Sequence, residues 1–233
     1  ELQSELQSRT KQYKYYRDMM LSEDYLNKLS EKLEYSTNIT YVLLEEIIKI
    51  KNGKDWKILE KGEIPVYGSG GPMNEFVNKS AYDKPTVLIP RKGSLNNVFY
   101  LDTPFWNVDT IFYTEIDETR IIPKYFYYFM ENYDLYKLNN ESTRPSVTQS
   151  SLNKLIVPLV PLNIQNKIVQ ILDKFQDLLQ DTQGLLPQEI QQRRKQYEYY
   201  REKLLTFDKE EGYALSTAQH STAQHSTAQH STA

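Results

Sequence analysis

The heptapeptide KQYKYYR at residues 11–17 recurs, with one change, as KQYEYYR at residues 195–201. At this offset of 184 residues (11 to 195), Arg9, Lys11, Gln12, Tyr13, Tyr15, Tyr16, Arg17 and Leu21 meet identical residues at Arg193, Lys195, Gln196, Tyr197, Tyr199, Tyr200, Arg201 and Leu205. Neither window contains Gly or Pro. A period this long is not that of a solenoid, whose repeats run at about 20–50 residues. It predicts two similar helices flanking one domain.

Apolar spacing supports that reading. Residues 1–34 are expected to be helical, with Leu2, Leu6, Arg9, Tyr13, Tyr16 and Met20 stepping by 4, 3, 4, 3 and 4 along a heptad seam broken only by Arg9. A second helix is expected over 163–182, with Ile164, Ile168, Ile171, Phe175 and Leu178 on its seam and Asn163 as N-cap after Pro161. In QGLLPQ, Gly184 suits a left-handed cap and Pro187 a helix start, so a joint leads into a third helix over 188–206. Its seam holds Ile190, Tyr197, Tyr200 and Leu204, onto which Leu6, Tyr13, Tyr16 and Met20 fall under the same offset. Any two amphipathic helices can share a heptad. The match of Gln12 and of the surface Lys and Arg positions goes beyond that.

Between the helices the pattern changes. Short β-rich runs stand at 64–68, 86–90, 97–101, 109–116 and 155–160, separated by Gly, Pro, Asn and Asp. One helix is expected over 123–138, opened by Pro123, with Phe126, Phe129, Met130 and Tyr133 on one face. Strands that do not alternate with helices predict an α+β fold with antiparallel and mixed pairing rather than a doubly wound sheet. The expected organisation is therefore a helix at 1–38, a globular mixed α/β domain at 39–160, a helical hairpin at 161–208 and a tail at 209–233. In that tail STAQH occurs three times and carries all three histidines, His220, His225 and His230. Its composition predicts disorder; the five-residue His spacing leaves weak metal binding open.

Lys and Arg total 28 against 31 Asp and Glu, so the chain does not coat nucleic acid by net charge, and any such contact needs a local basic surface. The absence of cysteine excludes disulfides, zinc fingers and thiol nucleophiles. No run of about 18 apolar residues is present, and no membrane partner is expected. The sequence starts at Glu1 rather than Met, which leaves open a fragment or a processed piece. The folded part offers no histidine for acid–base or ligand work and no phosphate-binding glycine loop of the Walker type. GSGG at 68–71 fits a turn, Glu45 and Glu46 lie in an amphipathic stretch, and Asp109 precedes a strand. This predicts a binder rather than an enzyme, with no metal and no cofactor of its own.

Two loops carry the binding chemistry. PRKGSLNN sets Arg91, Lys92, Ser94 and Asn96 together, and NNESTRPSVTQSS sets Arg144, Ser146, Thr148 and Gln149 together. Arg and Lys suit guanine edges or phosphates, Asn and Gln suit adenine, and hydroxyls suit phosphates. With Gly68 and Ser69 these are the candidate DNA contacts. Ordinary polar loops, or a helix cap at Ser150, explain the same letters.

The order of parts resembles that of the specificity (S) subunits of type I restriction–modification systems. The resemblance runs over residues 1–208: RTKQYKYYRDMML, then IPVYGSGG, KPTVLIPRKGSLNNVFYL, PFWNVDTIFY and RPSVTQSSLNKLIVPLVPL, then IQNKIVQILDKFQDLL and RRKQYEYYREKLLTF. It implies one target recognition domain between long antiparallel coiled-coil helices, equivalent to the second half of a full subunit that carries two. It also implies double-stranded DNA, methyltransferase (modification) subunits and a restriction subunit as partners in the cytoplasm, with S-adenosylmethionine and ATP bound by those partners. A fragment, a rearranged gene product and a half-subunit forming a homodimer through its helices all remain open. So does a reading from another class, a coiled-coil interaction module whose globular domain binds protein; a stand-alone DNA enzyme fits worst. In the resembled family the helices act as a ruler between half-sites, and the tandem ELQS at residues 1–8 matches the tetrapeptides that vary there. Each copy adds about 6 Å of helix, or roughly one to two base pairs of reach. Deleting one ELQS from the complete subunit is expected to shorten the spacer of the methylated target by that amount, as read by mapping methylated sites.

Overall fold

The computed structural model describes residues 2–32, 39–139 and 145–179, together with 191, 192, 195, 196, 198 and 199. The chain divides into two compact units, one of Glu1–Arg9 with Leu178–Ala233 and one of Thr10–Asp177. In the first, the described positions from 191 to 199 are helical and exposed. Ile190, Tyr197, Tyr200 and Leu204, the tail and the joint at Gly184 and Pro187 lie outside the described residues, so the expected helical hairpin and its coiled coil are not seen here.

The second unit holds the folded domain. Helices α1 (Leu2–Met20) and α2 (Glu23–Lys32) precede strands β1 (Thr40–Leu43), β2 (Ile48–Asn52), β3 (Lys61–Gly68), β4 (Gly71–Val77), β5 (Thr86–Pro90), β6 (Phe99–Leu101), β7 (Trp106–Asn107) and β8 (Ile111–Ile116). Then come α3 (Pro123–Asn132), the short α4 (Gln149–Asn153), β9 (Ile156–Leu159) and α5 over 162–179. The strands form a two-stranded sheet β1-β9, a four-stranded sheet β2-β8-β5-β6 and a three-stranded sheet β4-β3-β7. All pairs are antiparallel except β3 with β7. The fold is thus mixed α/β with segregated helices, as the punctuation of the sequence implies.

The long N-terminal helix expected over 1–34 is interrupted. Ser22 breaks it: its Oγ donates to the Met19 carbonyl at 2.6 Å and accepts from the Tyr25 amide at 3.4 Å, while Glu23 and Asp24 fill the first turn of α2. A hydroxyl cap followed by acids is a helix start that a heptad count passes over. The helix expected over 123–138 likewise ends at Asn132, because Asp134 accepts from the Tyr136 amide and starts a separate 3-10 turn, Leu135–Leu138. At α5 the cap is Pro161, whose carbonyl accepts from Ile164 and Gln165, rather than Asn163, which lies within the helix.

The seam on α5 also shifts. Ile164, Gln165, Ile168, Val169 and Leu172 are buried, whereas Ile171 and Leu178 are 38% and 56% exposed. At 3.6 residues per turn the buried stripe is centred about a fifth of a turn away from the expected heptad line, which ran along its edge. The reason is that α5 meets both α1 and α3. Gln165, fully buried, donates to the carbonyls of Arg120 and Val160 and accepts from the Ile122 amide, tying α5 to the start of α3. On α1, Tyr13 and Met20 are buried and Leu6 and Tyr16 half-buried, in keeping with their expected seam. Burial, and then the charge of Glu131, pushes the Tyr13 phenol far above its usual value; the same causes push Tyr127 up to about 12. Both remain proton donors at neutral pH.

The sheet core gathers Leu88, Phe105 and Ile111, and a second cluster gathers Val66, Val77 and Trp106. Between β5 and β8 the backbone ladder covers only Ile89↔Phe112 and Pro90↔Ile111. Beyond it two buried hydroxyls take over: Thr86 Oγ1 donates to the Thr114 carbonyl at 2.7 Å, and Thr114 Oγ1 accepts from the Val87 amide and donates to its carbonyl, both at 2.9 Å. Thr114→Val strands these backbone groups in the core. It is expected to lower stability by about 1–3 kcal/mol in urea unfolding.

Candidate nucleic-acid interface

Antiparallel pairing places the end of β5 beside the start of β8, and there the polar loops converge. The carbonyl of Thr110 accepts from the amides of Arg91 and Lys92 at 2.9 and 3.3 Å. Its hydroxyl accepts from the Ser69 amide at 3.2 Å, so the β3–β4 turn is held at the same point. Asn97 Nδ2 reaches back to the Ser69 carbonyl at 3.2 Å. Residues 145–147 complete the cluster: the Gly93 amide donates to the Pro145 carbonyl, the Val147 amide to the Arg91 carbonyl, and Lys92 bridges Ser146. Two stretches some fifty residues apart, which the sequence marks separately, form one surface.

Glycine is required at two points. Gly71 has φ +105° and Gly93 has φ +84°, in the region that other residues rarely adopt. A Cβ on Gly93 also meets the Ser69 hydroxyl at 3.4 Å, so the 91–97 loop and the β3–β4 turn approach closely there. Next to the turn lies an open cleft of about 750 Å³, walled by Trp56, Gly68–Met73 and Val108–Thr110 with Asp55 and Asp109 on its lining.

The individual candidates fare differently. Lys92, Ser94 and Asn96 are exposed, and Ser69 and Ser146 are half-buried. Arg91 is half-buried, its guanidinium carbon 5.8 Å from the centre of the Phe112 ring, which holds the charge beside the sheet end. Gly68 is buried at the end of β3 and serves the turn. Thr148 is the N-cap of α4, its Oγ1 accepting from the Ser151 amide at 3.1 Å, a role the sequence suggested for Ser150. Gln149 spends its amide on the Ile50 carbonyl at 3.0 Å. Both side chains are therefore engaged in holding α4 and β2. Arg144 lies outside the described residues. Sequence reasoning passed over Thr110, and it placed Asn97 in the polar loop at 90–97 without counting it among the contacts; these are the two side chains that join the loops. Thr110 follows Asp109 in a turn before a strand, a place where a hydroxyl commonly meets backbone.

The exposed groups of this surface are a cation, a hydroxyl and an amide, from Lys92, Ser94 and Asn96, while its backbone N–H groups hold the loops to one another. Among the described residues no group of His, Cys, Asp and Glu is arranged to hold a metal ion, and no helix is long and apolar enough to cross a membrane.

Comparison with known proteins adds an independent line. The profile of the type I restriction modification DNA specificity domain matches residues 37–192. The chain is 33% identical over 210 residues to a Haemophilus influenzae protein assigned as a type I restriction enzyme specificity subunit, covering 85% of this chain and 53% of that one. It is 30% identical over 241 residues to the EcoR124I/EcoR124II specificity subunit of Escherichia coli, covering 91% of this chain and 56% of the relative. Its fold is shared by the S subunit of a type I system from M. genitalium, with TM-score 0.64 at 24% identity over 80% of this chain and 52% of that one. The chain spans about half the length of these proteins.

Asn97→Ala removes the link between the 91–97 loop and Ser69. It is expected to cost about 1 kcal/mol and to speed amide exchange at Ser69–Gly71 while leaving β5 and β8 protected, as read by hydrogen-exchange mass spectrometry.

Proposed function

Because the chain belongs to the type I restriction–modification DNA specificity family, we propose that it reads one half-site of a bipartite DNA target and carries no catalytic centre of its own. The observation that carries this reading is the meeting of the Ser69, Arg91–Asn97, Thr110 and Ser146 segments on one polar face. Lys92, Ser94 and Asn96 present exposed cationic, hydroxyl and amide groups there, the set from which phosphate and base-edge contacts are made. Such a surface binds and orients; the transfer of a methyl group and the cutting of DNA belong to other chains.

On this reading methyltransferase subunits supply S-adenosylmethionine chemistry, and a restriction subunit supplies ATP-driven cleavage, in the cytoplasm where the chromosome lies. The repeat supports a scaffold for them. Lys11, Gln12 and Tyr15 on α1 are exposed, Tyr15 by 65%, and their matches Lys195, Gln196 and Tyr199 are exposed too, Tyr199 by 60%. Two like surfaces fit two copies of one partner, here the methyltransferase subunit. The rival reading, a protein-binding globular domain, leaves the cationic loop face without a role.

The test is to exchange residues 39–160 with those of a relative and to sequence the methylome of cells that also make the methyltransferase subunit. The methylated half-site is expected to follow the exchanged domain; methylation that stays on the old sequence overturns the reading. The same data separate a self-paired half-subunit, which yields a palindromic target, from a chain joined to a different first half, which yields an asymmetric one.

A further inference from the structure

We propose that Tyr13, Glu131 and Gln176 form an angular clamp that holds the recognition domain at one rotation about α1, and so set the spacing at which the domain meets DNA without touching DNA. The inference rests on the DNA-reading function above.

Three helices meet at this point, all within one compact unit. The Tyr13 hydroxyl, on a side chain only 5% exposed, donates to Glu131 Oε2 of α3 at 2.7 Å and accepts from Gln176 Nε2 of α5 at 3.1 Å. Arg17, one turn on, lies 3.3 Å from the same carboxylate and is 7% exposed. Tyr16 stacks on Phe175 of α5, with ring centres 5.1 Å apart and planes 18° apart. The neighbouring Tyr128 of α3 donates to Asp173 of α5 at 2.6 Å, and Lys124 meets the same carboxylate at 2.8 Å, which locks α3 to α5.

A purely apolar seam lets a helix slide or roll by small steps at little cost, because dispersion contacts have no direction. Hydrogen bonds to a partly buried carboxylate are directional and lose most of their strength when misaligned. Glu131 therefore ties the rotation of α1 to α3. The tie reaches the loop face because α3 follows β8, which Thr110 immediately precedes, and lies against β6 and against β5, which Arg91 immediately follows. A small roll at Tyr13 becomes a displacement of the whole face. In the repeat, Tyr13, Tyr16 and Arg17 recur as Tyr197, Tyr200 and Arg201, as the exposed Lys11, Gln12 and Tyr15 also recur.

The experiment uses the complete subunit with its methyltransferase partner in cells, and reads both the bases and the spacer of every methylated site. Tyr13→Phe removes one hydroxyl and keeps the ring. Half-site bases are expected to stay the same, while methylation of targets one base pair longer or shorter rises about tenfold relative to the normal spacer, the effect of losing one hydrogen bond to a charged group. Glu131→Gln, nearly isosteric, is the second variant and is expected to relax spacing in the same direction, so a failure of Tyr13→Phe to accumulate leaves the proposal exposed to refutation. Strict spacing in both variants overturns it, and so does an even loss of methylation at all sites, which marks a structural anchor only. If domain exchange moves the half-site but both variants keep strict spacing, the clamp fails and the reading function stands. If exchange does not move the half-site, the reading function itself has failed.

Discussion

The antiparallel pairing of β5 with β8 is the constraint on which the rest of this molecule depends. It brings the last residue of one strand beside the first of the other, Pro90 against Ile111, so the segments that leave them must share one end of the sheet. Thr110 uses that proximity three times, through a carbonyl shared by Arg91 and Lys92 and a hydroxyl that takes the Ser69 amide. At the opposite end Thr86 and Thr114 replace the ladder with buried hydroxyls. The strands are thus pinned at both ends, and the loop face inherits their rigidity. A binding surface built on loops gains specificity only when its scaffold holds it in this way.

The helices solve a different problem. Their buried side chains are largely apolar, among them Met20, Leu21, Ile164, Ile168 and Leu172, and such burial has no preferred direction. Direction comes from a few polar groups, Tyr13, Arg17, Glu131, Gln165, Gln176 and Asp173, each satisfied by a named partner. Leaving such groups unpaired costs more than pairing them gains. The polar contacts therefore choose among packings that the apolar stripe alone would allow. On the proposed function, holding a reading domain at a set distance from its counterpart needs that choice made firmly.

Much of this was legible in the letters. The runs at 64–68 and 86–90 stand within the strands that form, the run at 109–116 contains β8 behind two turn residues, and Pro123 opens α3. The family resemblance rests on ordered motifs and agrees with the profile match over residues 37–192. The misses have local causes. Ser22 and Asp134 cut helices because a short polar side chain captures a backbone amide, an interaction that a heptad count does not weigh. On α5 the heptad line followed the edge of a stripe widened by a second neighbour, so Ile171 and Leu178 fell outside it.

What the sequence determined by itself was part of the local material: the helical character of α1, α3 and α5, the strands β3, β5, β6, β8 and β9 but not β1, β2, β4 or β7, the duplicated Tyr-rich face, and the absence of a histidine or cysteine between the two copies of that face. These follow from periodicity and residue type, which act over a few residues. Tertiary structure alone decided which polar residues remain available. Thr148 and Gln149 are drawn into holding α4 and β2, while Thr110 and Asn97, unremarkable in the chain, become the joints of the loop face. The reason is that a hydrogen-bonding group commits to whatever partner the fold brings within about 3 Å, and that partner is set by strand pairing across distant segments, which no local pattern encodes.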